Sequence, residues 1–189
     1  MFRAFIIGIV FTVLAACGAF YMVITNGVIP ASADSKPGGF EKWAARTSLR
    51  ATLQKEAPKQ ANPVILTDDD LNAGIQLYAK HCVVCHGTAA GESSASPIAK
   101  GENPKPPQLA ADGVEDDPEA WTFWKVKHGI RWSGMPAWGN VLNDRQIWTL
   151  ALFLKHMDKL PPRPKAAWQA VQARHAAAVL QPASAQKNK

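Results

Sequence analysis

The sequence predicts an all-α chain, a small helical domain preceded by one N-terminal helix of membrane-spanning length. Three observations predict it. Residues Ala4 to Ile24 contain no charged side chain. The rest of the chain holds several helix starts, each a capping residue with nearby acids, followed by apolar residues at helical spacing. Nowhere do strand-like and helix-like stretches alternate. The 189 residues leave room for one modest domain with extensions.

The apolar run Ala4–Ile24 would rise about 31 Å as a helix, enough to cross a bilayer core. Arg3 precedes it, and Tyr21 sits near its far end, where interfacial aromatics are placed. Three readings fit. The run is a retained signal-anchor. It is a signal peptide cleaved after the A-x-A form Ala31-Ser32-Ala33, although it is longer than a usual apolar signal region. Or Leu14-Ala15-Ala16-Cys17 is a lipidation signal, although the residues after Cys17 stay apolar. Residues 1–29 are assigned to this segment.

Residues 30–66 read as a basic tether. Lys36-Pro37-Gly38-Gly39 breaks the chain, Phe40 to Glu56 forms a helix with Phe40, Trp43, Ala44 and Ala51 on one face, and Pro58 and Pro63 close it. Its basic residues suit an anionic membrane surface or a partner; a solvated spacer is the alternative.

The main domain is placed at 67–160. Thr67 caps its first helix, with Asp70 three residues on and acids in the first turn. Leu71, Gly74, Ile75, Tyr78 and Cys82 then share one helix face. A helical Gly costs roughly 1 kcal/mol against Ala, so Gly74 points to a close crossing with another helix. Gly87 to Leu109 is a long loop that wraps something, ending in the stiff Pro104-Lys105-Pro106-Pro107-Gln108-Leu109. Asp117-Pro118-Glu119 starts a second helix with Asp117 as cap, bearing Trp121, Trp124, Val126 and His128 and ending at Gly129. Asn143, with Gln146, caps a third helix whose Ile147–Leu154 stretch is apolar nearly all round and therefore buried. Pro161-Pro162 ends it. The tail 161–189 carries an Ala-rich run, Ala166–Leu180, of helical character, and fades into disorder.

Charge is unevenly spread under the net +6. Thr67–Leu160 holds nine Lys and Arg against twelve Asp and Glu, while both flanks are basic. The positive charge thus lies outside the folded domain, which excludes a nucleic-acid footprint.

The first helix runs into Cys82-Val83-Val84-Cys85-His86, a C-x-x-C-H motif. Two thiols three residues apart can each add across one haem vinyl group, and the adjoining imidazole can ligate the iron; this is the haem c attachment spacing. A thioredoxin-like dithiol needs strand–helix alternation around it, and a zinc site needs four ligands, where only Cys17 remains. Met135 lies in the Pro- and Gly-punctuated stretch Ser133–Gly139, off any helical face, where a soft thioether can serve as an iron ligand; filling a gap is the alternative role. His81, His128 and His156 could replace it. A Pro carbonyl near the His86 Nδ1–H would fix that ring's tautomer. Arg131 and Trp132 are candidates for covering the haem edge, or are plain surface and core residues.

Taken together, Thr67–Leu160 resembles a class I c-type cytochrome. The resemblance is carried by Gly74 and Tyr78 before Cys82, by C-V-V-C-H, by Pro107-Gln108-Leu109, by Gly134-Met135-Pro136-Ala137 and by Leu150…Phe153-Leu154. It implies a small cytochrome c fold wrapped round one haem c, covalently held through Cys82 and Cys85. It implies His86 and Met135 as the two metal ligands, the first helix crossing the last at Gly74, Tyr78 and Phe153, the Pro107 carbonyl bonded to His86, and Leu109 packed on the haem. The family's G-P-x-L reads Pro106-Pro107-Gln108-Leu109 here, and Ser96-Pro97 is a second candidate for the carbonyl.

With both axial positions filled and no acid–base pair evident, the expected function is electron transfer, not enzymatic catalysis. The expected partners are redox proteins, with membrane contact through residues 4–24 and no nucleic acid. Haem c attachment of this type places the domain on the periplasmic side of a bacterial inner membrane, even though Lys36, Lys42, Arg46 and Arg50 follow the span. A fixed cytochrome subunit of a membrane dehydrogenase or terminal oxidase is the alternative. An enzyme or gas sensor with an open sixth position is a third.

Overall fold

The computed structural model describes residues 2–88, 96–111 and 113–180. Every regular element among them is helical: α1 Phe2–Thr25, α2 Gly39–Glu56, α3 Asp68–His81, α4 Val83–His86, α5 Pro97–Gly101, α6 Glu119–His128, α7 Asp144–Lys155 and α8 Pro162–Leu180. Single 3-10 turns lie at Val114–Asp116 and Trp138–Asn140. The chain divides into two units, Met1–Lys36 and Pro37–Lys189.

The first unit is α1 with the residues that follow it. None of the α1 residues is buried, and its length and apolar composition suffice for a bilayer crossing. A signal sequence meets the same description.

In the second unit α3 and α7 form the central pair. Thr67 caps α3, its hydroxyl oxygen accepting from the Asp70 N–H at 3.1 Å. Leu71, Gly74, Ile75 and Tyr78 are all buried, the face expected from their spacing. Asn143 and Gln146 cap α7 reciprocally, each side chain accepting from the other's backbone N–H. Ile147 to Leu154 is buried without interruption. The helices meet at Gly74, where an added Cβ would lie 2.5 Å from Phe153 Cβ and 2.7 Å from the Thr149 carbonyl oxygen. Glycine here lets the two backbones approach.

α6 lies on α7 through Phe123 stacked on Trp148, ring centroids 4.3 Å apart. It starts one residue later than expected, with Pro118 as the capping residue. The Asp117 carboxylate does not cap the helix but pairs with Lys125 in the last turn of α6.

Three segments differ from the sequence reading. The stretch 161–180 is not a trailing extension: α8 begins at Pro162 and packs on α3, with Pro164, Trp168 and Val171 buried. Its residues 181–189 lie outside the described ones. The segment 30–66 does not act as a spacer throughout its length. Leu53, Ala57 and Val64 are buried, and Asn62 Nδ2 donates to Glu119 Oε1 at 2.8 Å and to the Trp148 carbonyl at 3.0 Å. The face of α2 expected from Phe40, Trp43, Ala44 and Ala51 is not the one that packs; Leu53 is. The expected loop 87–109 contains α5, capped by the Ser96 hydroxyl, while its residues 89–95 lie outside the described ones.

Candidate functional site

α3 ends at His81, and Cys82 is the joint to the single turn α4. The Cys82 N–H still bonds the Tyr78 carbonyl at 2.9 Å, and the Cys82 carbonyl accepts from Cys85 at 3.1 Å and His86 at 2.9 Å. These bonds hold Cys82, Cys85 and His86 on one tight turn. Gly87 closes it with φ +62, a conformation that suits glycine because a Cβ there crowds the backbone. Behind it the fully buried Tyr78 donates its hydroxyl to the Gly87 carbonyl at 2.8 Å. Burial pushes the Tyr78 phenol far above its usual range, so it remains a donor.

His86 is half-buried, and its Nδ1 lies 2.9 Å from the Pro107 carbonyl oxygen. A carbonyl can only accept, so Nδ1 carries the proton and the lone pair of the neutral ring is left on Nε2. Burial lowers the His86 pKa, opposed by the Pro107 bond and by the charge of Glu102. The neutral ring, the form that can coordinate a metal, is therefore favoured. The Pro107 carbonyl is the acceptor for the His86 Nδ1–H; the Ser96 hydroxyl caps α5, accepting from the Ala99 N–H.

The two thiols are free and half-buried. Burial first, then the neighbouring Cys85, pushes Cys82 up to about 12. Burial first, then the hydrogen bond and charge of Glu102, pushes Cys85 up to about 11. Both are thus held as protonated, reduced thiols.

Met135 lies in the loop that follows α6. Gly129 ends α6 at φ +67, and an added Cβ would meet the Met135 carbonyl at 2.7 Å and Ala137 N at 2.8 Å. The Ile130 N–H bonds the Met135 carbonyl at 3.2 Å, and the Ser133 hydroxyl accepts from the Met135 N–H at 3.2 Å while donating to the Ile130 carbonyl at 2.7 Å. The loop is therefore closed on itself and seated on the end of α6. Met135, Leu109 and Cys82 are all partly buried against the same apolar core.

Glu102, which the sequence reading did not single out, touches both halves. Cys85 Sγ donates to its Oε1 at 3.3 Å, and a Cβ added at Gly134 would lie 2.5 Å from its Cδ. No sequence signal marks it; a lone acid in a polar loop acquires its place only from the fold.

The other histidines considered as ligands have contacts of their own. His81 lies edge-on to Trp138, His128 lies against Trp124, and His156 Nδ1 is 2.9 Å from the Leu152 carbonyl. Met157 is buried in the core. Arg131 is exposed, and Trp132 is 90 % exposed with φ +62. No group of three His, Cys, Asp or Glu suited to a metal ion occurs among the described residues, which removes the zinc reading there. The all-helical surroundings remove the thioredoxin reading.

The family model "cytochrome C oxidase, cbb3-type, subunit III" matches residues 69–154, from the first turn of α3 to the end of α7. No curated protein and no solved structure matches the chain. The matched span contains the Gly74 crossing, the C-x-x-C-H turn and the Met135 loop, and every regular element among its described residues is helical. Residues 69–154 are a class I c-type cytochrome domain, which implies a haem c cofactor, haem-based electron transfer and redox-protein partners.

Proposed function

We propose that the chain is a membrane-anchored electron carrier with one haem c, joined covalently through Cys82 and Cys85 and ligated by His86 and Met135. The observation that carries this reading is the 2.9 Å contact between His86 Nδ1 and the Pro107 carbonyl, which leaves Nε2 as the ring's coordinating atom. The donor set fits the group. Two reduced thiols sit on one turn beside that imidazole, and a thioether is held in a closed loop against the same core.

When bound, haem supplies one-electron chemistry at its iron. The chain's residues do the rest. Cys82 and Cys85 fix the group in place. Pro107 orients His86 and raises its basicity. The thioether of Met135 favours the reduced state and so raises the potential. Leu109, packed on the apolar core, would help keep water from the group.

α1 serves as a retained anchor in a bacterial inner membrane, with the haem domain on the periplasmic side. The test is acid–acetone extraction together with an oxidised-state spectrum. Haem that stays with the chain, and a red-edge absorption band of a thioether–iron(III) pair, are expected. Haem that extracts freely refutes the covalent attachment; a missing band refutes Met135 as ligand.

The family's own description as an oxidase subunit favours a second reading, a fixed subunit of a membrane oxidase complex. Co-purification from mild detergent at constant stoichiometry with an oxidase would select it over the free carrier.

A further inference from the structure

The N-terminal half of α2 has no partner. From Gly39 to Ser48 every residue except the half-buried Ala44 is exposed, whereas Leu53 near the other end is buried. Phe40 is 78 % and Trp43 61 % exposed, and their rings lie 5.6 Å apart. Burying two neighbouring aromatic rings is favourable, so a pair left in water marks a contact that some other surface completes.

Charge indicates which surface. Trp43, Arg46 and Arg50 follow at three- and four-residue spacing and line one side of the helix, and Lys36 and Lys42 lie close by in the chain. None of Lys42, Arg46 and Arg50 forms an ion pair among the described residues. Glu41, the acid of the same turn, is turned back to the Gly38 N–H that opens α2. The outcome is an exposed stripe of aromatic rings and unpaired cations. Aromatic rings prefer the headgroup level of a bilayer, and each cation near an anionic leaflet adds attraction.

Chain connectivity favours the bilayer over a soluble partner. Thirteen residues separate Thr25, the end of the membrane-length helix, from Gly39. A flexible segment of that length reaches roughly 20 Å on average. With α1 in the membrane, a link of that length gives the stripe a high effective concentration at the headgroups.

We propose that Phe40–Arg50 is an interfacial foot which binds the anionic headgroups of the bilayer, a role that rests on α1 being a retained anchor. The foot fixes the start of the second unit at the membrane surface through the packed end of α2.

The test uses the full chain in two kinds of vesicle, phosphatidylcholine alone and phosphatidylcholine with phosphatidylglycerol at about 2:1. Amide hydrogen exchange is followed across residues 40–50 and, as an internal reference, across 4–24. Exchange at 40–50 is expected to slow about tenfold or more in the anionic vesicles relative to the neutral ones, since each cation near the surface contributes several-fold. The triple variant Lys42→Gln, Arg46→Gln, Arg50→Gln and the double variant Phe40→Ala, Trp43→Ala should each lose most of that difference. All five side chains are exposed, so the fold survives their replacement. Equal exchange at 40–50 in both vesicles overturns the proposal, whether the residues are protected in both or in neither; protection in both that rises with protein density identifies a protein partner instead. Loss of 4–24 from the purified chain, or its free exchange, overturns the anchor reading and leaves the exchange at 40–50 to decide the foot.

Discussion

The Trp168 ring meets the Tyr78 ring edge-on, centroids 5.5 Å apart at 77°, so that a helix C-terminal to the matched cytochrome segment closes the core behind the C-x-x-C-H turn. Trp168 also touches Phe153 at 5.3 Å and is 6 % exposed. It thereby braces both sides of the α3–α7 crossing. Trp168→Ala should cost about 3–5 kcal/mol, the range for deleting a large buried aromatic side chain. Chemical denaturation of the haem-loaded protein checks it; a loss under about 1 kcal/mol would show that α8 merely rests on the domain.

The contrast between α7 and α8 shows what the sequence could reveal. α7 announces itself with a reciprocal cap and an unbroken apolar run, both local signals. α3 does so through its Thr67 cap and the Leu71–Tyr78 spacing. α8 buries only a few residues, Pro164, Trp168 and Val171, amid an Ala-rich stretch with no apolar stripe, so nothing local distinguishes a packed helix from a solvated one. The same holds for α2, where the exposed Phe40 and Trp43 carry a stronger apolar signal than the buried Leu53. In the candidate site, Cys82, Cys85, His86 and Met135 could be singled out from the sequence because residue type and spacing mark them as candidates. Pro107 was legible only through family resemblance. Glu102 was not legible at all, because its contacts with Cys85 and Gly134 arise from long-range folding.

Gly74→Ala tests the crossing. The helix gains roughly 1 kcal/mol of propensity, yet the new Cβ sits 2.5 Å from Phe153 Cβ and 2.7 Å from a backbone oxygen. Neither of those atoms can swing away, so overpacking outweighs propensity and a net loss of about 1–3 kcal/mol is expected. Gly101→Ala on α5, where an added Cβ meets nothing within 4 Å, should be nearly neutral and serves as the control in the same melt.

Tyr78→Phe removes one hydroxyl from the buried bond to the Gly87 carbonyl. The ring contacts remain, so the cost should be that of a buried acceptor left unpaired, about 1–3 kcal/mol. Because that bond braces the end of the His86 turn, the variant should also show less sharp haem absorption features. An unchanged denaturation midpoint would show that water replaces the hydroxyl at no cost.

Glu102→Gln should free the Cys85 thiol in the haem-free chain. Burial, the hydrogen bond and the carboxylate charge together raise its pKa from 9.0 to about 11. A raised thiol pKa means less thiolate at a given pH, so near pH 8 this thiol should alkylate about a hundredfold more slowly than an unperturbed one. Glutamine removes the charge, the pKa falls, and alkylation of Cys85 should quicken while Cys82, held up mainly by burial, changes little. Mass-spectrometric rates for each cysteine decide it; equal rates in both proteins would place Glu102 outside contact with Cys85 in solution.

Two truncations test where the folded unit begins. A chain starting at Pro37 keeps α2, whose end supplies Leu53 and Ala57, each 4 % exposed. A chain starting at Asn62 loses both and leaves Asn62, which bonds Glu119 and the Trp148 carbonyl, as a fraying terminus. The first should unfold at the denaturant midpoint of the full chain, because Met1–Lys36 is a separate unit. The second should lose roughly 3 kcal/mol from the unburied leucine and alanine side chains, while still holding haem, since Cys82, Cys85, His86, Pro107 and Met135 all lie downstream. Identical midpoints for the two would mean that α2 contributes nothing to the domain and that residues 37–61 act only as a spacer. A chain from Pro37 that is itself less stable than the full chain would mean instead that the first unit, too, supports the fold.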